Sequence, residues 1–158
     1  EEERKKSEVT PMSNEMKVIG ESFGENRGRL PWPVDRGIIT SHFGLQPHPV
    51  LKNVTEDNIG IEITSSGATQ ARSVFKGEVV RVFAISGANM AVIVRHGKYL
   101  TVYQNLINVK VKAGDIINLG QVLGDVFPDN ANGGKSVLKF MIYEEKKKLN
   151  PEVWLLKK

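Results

Sequence analysis

The chain has no cysteine, which excludes a disulfide framework, a thiolate nucleophile and a Cys-built zinc site. The compartment stays open, because a cysteine-free domain suits an oxidising periplasm as well as a cytosol. No apolar run approaches the roughly 18–20 residues that span a bilayer. No signal peptide heads the chain, and the opening EEERKK reads as the start of an excised fragment. Histidine is scarce: His42, His48 and His96 are the three in the chain, and no two are spaced i, i+2 or i, i+4. The formal charge of +4 is concentrated late, in Lys146, Lys147, Lys148, Lys157 and Lys158. Few aromatics interleave with these lysines, and no helix-turn-helix, zinc-finger or RNP-like pattern accompanies them, which argues against a nucleic-acid partner.

What is present divides into zones. A length of 158 residues suits one domain with an appendage. Residues 1–28 are charged and weakly helical, with Pro11 as a break and Met16, Val18 and Ile19 as an apolar stripe before Gly20 and Gly24. That is the profile of a helical tail and linker. "LPWPV", Leu30 to Val34, is held extended by its prolines, and the folded domain is expected to occupy 29–158. From Gly37 onward the chain reads as short strands separated by Gly, Asn and Pro turns: "GIITSHF", "IGIEIT", "GEVVRVFAI", "MAVIVRHG", "YLTVYQNL", "QVLGDVF" and "SVLKFMIY". No long amphipathic helix interrupts them, so the expected fold is all-β and antiparallel, in two layers or barrel-like, with a short N-terminal helical extension. "LNPEVWLL" supplies an Asn-Pro turn and then Val153, Trp154 and Leu155 to pack on the sheet edge.

The last strand raises a question. Alternation puts Leu138, Phe140 and Ile142 on one face of "SVLKFMIY" and Val137, Lys139, Met141 and Tyr143 on the other. A lysine among large apolar residues marks either a solvated sheet face or the floor of a groove. "GEVVRV" and "VKAGDIINLGQVLGDV" have the hairpin spacing of biotinyl and lipoyl carrier domains, but no lysine sits in the turn that such carriers modify.

Five collinear segments resemble the LytM (lysostaphin-like) metallopeptidase family over most of the chain. They are "SHFGLQPHPVLKNV", "NIGIEITSSGATQARSVFKGEVV", "VIVRHGKYLTVYQNL", "VKAGDIINLGQVLGDV" and "SVLKFMIYEEKKKLNPEVWL". The resemblance implies the two-layer duplicated hybrid-motif β fold. In active members a His-x-x-x-Asp pair and the second histidine of His-x-His hold zinc, with a fourth position open for water. A further histidine in Tyr-x-His-Leu, and the first of the pair, assist attack on a peptidoglycan peptide bond. On this pattern the ligand positions fall on Asn58, Glu62 and Lys139, and the helper positions on Asn105, after Tyr103, and on Val137. A protonated lysine has no lone pair for a metal, so no catalytic residue, metal or cofactor is assigned, and an ion pair between Glu62 and Lys139 is the expected replacement. The three histidines read as ordinary hydrogen-bonded or surface groups.

By parity, Asn58, Gly60 and Glu62, then Tyr103 and Asn105, then Val137, Lys139, Met141 and Tyr143 are expected to line one concavity. Ile59, Ile61, Ile63, Val102, Leu138, Phe140 and Ile142 are expected to turn inward. The partner-binding set is Asn58, Glu62, Tyr103, Asn105, Val137, Lys139 and Tyr143, with Lys52 and Arg72 as rim candidates and Glu56 and Asp57 making the rim acidic. "NRGRLPWPV", the altered zinc positions and "LNPEVWL" resemble the family's non-catalytic murein hydrolase activators, which carry a coiled coil upstream. That likeness implies a periplasmic role in septal wall splitting, with a helix of an N-acetylmuramoyl-L-alanine amidase bound in the groove. A wall-targeting module that binds peptidoglycan and a residual zinc endopeptidase are the alternatives.

Overall fold

The computed structural model describes residues 13–48, 50–85 and 89–157. Its first element is α1 (Asn14–Glu25), capped by Ser13, whose Oγ accepts a hydrogen bond from the Met16 amide at 3.1 Å. Met16, Ile19, Gly20 and Phe23 are buried, the i, i+3, i+4, i+7 set that forms one helical face. Val18, expected in that stripe, is 59% exposed, because two residues from Met16 is the opposite side of a helix.

The two glycines read as interruptions lie inside the helix. Gly20 is there for proximity: a Cβ on it would stand 3.0 Å from Gly97 Cα in the turn that follows His96. This approach lets Phe23 enter a cluster of rings, stacked on His96 at 4.8 Å and on Tyr99 at 4.7 Å, with Trp154 at 5.2 Å. Phe23 has no exposed surface. The core therefore begins well before the boundary expected at residue 29, since a helix that buries a phenylalanine in the central cluster is part of the folded unit rather than a tail. The end of an upstream coiled coil is expected within residues 1–28, of which 1–12 lie outside the described residues.

The strands are β1 (Ile38–Ser41), β2 (Gly44–Pro47), β3 (Thr55–Asn58), β4 (Ile61–Ser65), β5 (Gln70–Arg72), β6 (Gly77–Ala84), β7 (Met90–His96), β8 (Tyr99–Ile107), β9 (Ile116–Ile117), β10 (Val122–Val126), β11 (Pro128–Asp129), β12 (Lys135–Glu144) and β13 (Lys147–Leu149). The pairings are antiparallel, and the main path runs β1–β4–β12–β8–β7–β6–β9. β10 joins β8 to β5, and β11 and β13 flank β12. β2 and β3 form a separate hairpin. The antiparallel β fold with a short N-terminal helix is thus as expected, and the core is the inward face of the main sheet: Ile61, Ile63, Val92, Val94, Leu138, Phe140 and Ile142.

The chain ends fold onto this core. Leu30 and Val34, from "LPWPV", are buried, and Leu30 bridges Leu155 in parallel. Asn150 caps α2 (Pro151–Trp154), accepting from the Glu152 amide at 3.0 Å, with proline at the first turn where its missing N–H costs nothing. α2 delivers Trp154 to the ring cluster.

Phe23→Ala should cost about 3–5 kcal/mol, and Gly20→Val should lower stability through the clash with Gly97. Urea unfolding checks both, and a loss below about 1 kcal/mol for Phe23→Ala would show that the helix is not part of the core.

Candidate functional site

β12 is the central strand of the site. Its register sets Lys139 directly across from Glu62 on β4 and from Gln104 on β8. Opposed residues in an antiparallel pair share a face, so these three side chains stand together on the side away from the core. Lys139 Nζ lies 4.0 Å from Glu62 Oε2, with the side chains 53% and 39% exposed. The expected pairing is present, as a loose, solvated one. Ser41 on β1 continues the row beyond Glu62. Val137 faces Thr64, and Tyr143 faces Leu100 and Lys148, on the same side of the sheet.

Asn58 ends β3, and its Nδ2 donates to Ser41 Oγ at 3.2 Å and to the His42 carbonyl at 2.8 Å. These bonds tie the β2–β3 hairpin to the edge of the Glu62 row. Asn105 has φ +77°, a left-handed conformation that asparagine tolerates better than most residues. It is the extra residue of a β-bulge, since Met90 opposes Leu106 while Ala91 already opposes Gln104. Its amide donates to the Val137 carbonyl at 2.7 Å and accepts from Asn89 Nδ2 at 2.8 Å. Asn105 therefore closes one end of the face by joining β12 to the residue before β7.

The bulge corrects the placement of Tyr103. Counting back from Asn105 by twos puts Tyr103 in the groove, but the inserted residue shifts the alternation by one. Tyr103 turns inward with no exposed surface, and Gln104 and Val102 take the outward positions. Gln104 is the site residue that sequence reasoning missed. The one local signal for it is Asn105, whose side chain suits the left-handed position a bulge requires. Ile59 is also not in the core: it is 42% exposed, in the bend between β3 and β4 where strand alternation does not carry across.

Neither rim candidate is tied to this face. Arg72, on β5, donates from Nη1 to the Gly120 carbonyl at 3.1 Å and sets Nε 3.3 Å from Asp35 Oδ1, without alignment for a hydrogen bond. It braces the segment after "LPWPV" to the β9–β10 turn. Lys52 is exposed in the β2–β3 turn and has no ion pair among the described residues. In that turn His48 Nδ1 accepts from the amides of Val50 and Leu51 at 3.1 and 3.0 Å, while His42 Nδ1 lies 2.6 Å from Glu152 Oε2.

Tyr103 instead belongs to a buried polar chain behind the site. His96 Nδ1 is 2.7 Å from the Lys76 carbonyl, and Nε2 is 2.8 Å from Thr101 Oγ1. Thr101 Oγ1 is 3.0 Å from Tyr103 Oη, which accepts from the Val74 amide at 3.1 Å. A carbonyl only accepts, so Nδ1 carries the proton towards Lys76, while the Thr101 hydroxyl donates to Tyr103 Oη. Burial lowers the His96 pKa from 6.5 to about 4, against the raising effect of the bond to Lys76. Burial likewise pushes the Tyr103 phenol up.

A twisted antiparallel sheet that packs one face into a core and presents a polar row on the other is the LytM-like fold. Residues 56–151, more than half of the chain, match the model of Peptidase family M23, and the chain belongs to that family. A chain in the structure of the SpoIIQ–SpoIIIAH pore forming complex is similar, with 20% identity and a TM-score of 0.67 over 83% of this chain and 93% of that one. Helicobacter pylori Csd3 is 24% identical, TM-score 0.67, over 82% of this chain and 35% of Csd3. A zinc containing peptidase from Vibrio cholerae is 20% identical, TM-score 0.66, over 83% of this chain and 41% of that one. At these identities the likeness is one of fold. No curated protein matches the chain.

Zinc, which the family implies, needs three donors converging with a fourth position open. The ligand positions that the resemblance assigns, Asn58, Glu62 and Lys139, hold an amide, one carboxylate and an ammonium. Among the described residues no group of three His, Asp or Glu side chains converges as a metal site. This donor set does not fit the ion.

Two outcomes test this geometry. Because unfolded imidazole titrates near 6.5 and folded His96 at about 4, the unfolded state binds the proton first as pH falls. Stability from this group is full above pH 6.5, declines by about 3 kcal/mol down to pH 4 and is flat below. Urea unfolding across that range should show the slope in the parent chain and a reduced one in His96→Gln. For the exposed pair, a double-mutant cycle with Glu62→Gln and Lys139→Met should give a coupling below about 1 kcal/mol.

Proposed function

We propose that this chain is a non-catalytic member of its family that activates a peptidoglycan amidase by binding it through the β4–β12–β8 face. The observation that carries this reading is Lys139, set between Glu62 and Gln104 at the centre of the face. An ammonium there opposes a cation and offers three hydrogen-bond donors to an acidic or polar partner group. The partner is an N-acetylmuramoyl-L-alanine amidase of the periplasm, and the segment bound is its regulatory helix. The chain then acts as murein hydrolase activators of the EnvC type do, in septal wall splitting. The similar chain in the SpoIIQ–SpoIIIAH complex supports this, as a case of the fold engaged with a second protein.

The energetics are those of population shift. An activator that binds the open amidase more tightly than the closed one moves the equilibrium by that difference alone, about 1.4 kcal/mol for each tenfold. Half-exposed apolar groups such as Tyr143 and Val137 around a charged centre suit a protein ligand.

Release of dye from labelled sacculi by purified amidase, with and without this chain, tests the reading. Stimulation by the parent chain and its loss in Lys139→Glu, at unchanged melting temperature, is the expected result. Hydrolysis by this chain alone, or retention on sacculi with no stimulation, would replace it with the peptidase or wall-binding reading.

A further inference from the structure

The outward face does not stop at β8. Register across β7 and β6 extends it, with Ala91 beside Gln104 and Phe83 beside Ala91, while the next row runs from Met141 through Val102 and Ile93 to Arg81. Arg81 is exposed, and its guanidinium lies 4.5 Å over the Phe83 ring. It forms no ion pair among the described residues. Stacking on the ring holds the guanidinium in place while its edge donors stay open to a carboxylate. The row between the two cations is apolar and closed, with Met141 4% and Val102 6% exposed.

We propose that the partner segment is an amphipathic helix lying across β12, β8, β7 and β6, with one carboxylate on Lys139 and a second on Arg81. The proposal rests on the activator reading and specifies its ligand. Three strand spacings of about 4.8 Å and one two-residue step along the strand put the backbone positions of the two residues about 16 Å apart, about three helical turns. The carboxylates therefore stand on one face of the helix about three turns apart, and the apolar stripe between them covers Ile93. A helix is required because β12, β8 and β7 are each paired on both sides. They offer no free edge to an extended peptide, so the ligand must satisfy its own backbone. The anionic chemistry follows from the two anchors: Glu62, at 4.0 Å, leaves most of the Lys139 donor capacity unused, and Arg81 has no acidic partner among the described residues.

The test uses the full chain and the purified amidase in the dye-release assay. Arg81→Glu should lower activation about tenfold and Arg81→Gln by less, with melting temperatures unchanged, as expected for an exposed side chain. Among single Glu→Lys and Asp→Lys changes on the amidase helix, one should restore activation with Arg81→Glu and not with Lys139→Glu. Full activation by Arg81→Glu, beside loss with Lys139→Glu, would overturn the four-strand contact and leave the activator reading standing. Loss of neither, or no activation by the parent chain, would overturn both.

Discussion

The register of β12 against β4 and β8 is the constraint on which the rest of the structure depends. Leu138, Phe140 and Ile142 point inward against Ile61, Ile63 and Tyr103, and all six are buried. Each large side chain contributes on the order of 1.5–3 kcal/mol when removed from water. A slip of β12 by one residue would turn Leu138, Phe140 and Ile142 outward and Lys139 into the core, so the pairing has no competitive alternative. The charged row on the outer face is thus held in place by apolar burial on the inner one. The ion pair itself is too exposed to specify anything.

A second device fixes the other end of the same strands. α1 packs on the β7–β8 turn through the Gly20–Gly97 approach, and Phe23, His96, Tyr99 and Trp154 join the first helix, the hairpin and the last helix in one cluster. Beneath it, the bonds from Lys76 through His96, Thr101 and Tyr103 to Val74 satisfy buried polar groups that would otherwise destabilise the interior. The outer face is consequently backed by a packed and hydrogen-bonded interior. For the proposed activator this matters, because a preorganised surface gives up little conformational entropy on binding and more of its contact energy remains to hold the partner's open state.

Much of this was legible in the chain itself. Alternation in "SVLKFMIY" gives both faces of β12 and places Lys139 outward, and the collinear segments point to the family. The errors have local causes. Tyr103 was misplaced because a bulge at Asn105 inverts the alternation, and a bulge depends on the partner strand as much as on its own residues. Arg72 and Lys52 look like rim cations in one dimension, but nothing in a linear sequence shows that Asp35 and Gly120 take up the first or that the second stands on a separate hairpin. The weak helical pattern of residues 14–25 looked like a tail because two glycines lower helix propensity, whereas here they are the condition for docking.

What the sequence determined by itself, then, was the strand pattern, the inward and outward sides of β12, the fold class and which residue types stand at the positions that align with the family's ligands. These follow from side-chain period and residue type, both properties of neighbouring residues. The tertiary structure decided which side chains meet: Gln104 beside Lys139, Phe23 within the ring cluster, Arg81 on the same face as Lys139, and Tyr103 at the end of a buried hydrogen-bonded chain. Those juxtapositions depend on register between strands far apart in the chain, and register is set by the packing of the whole core rather than by any one segment.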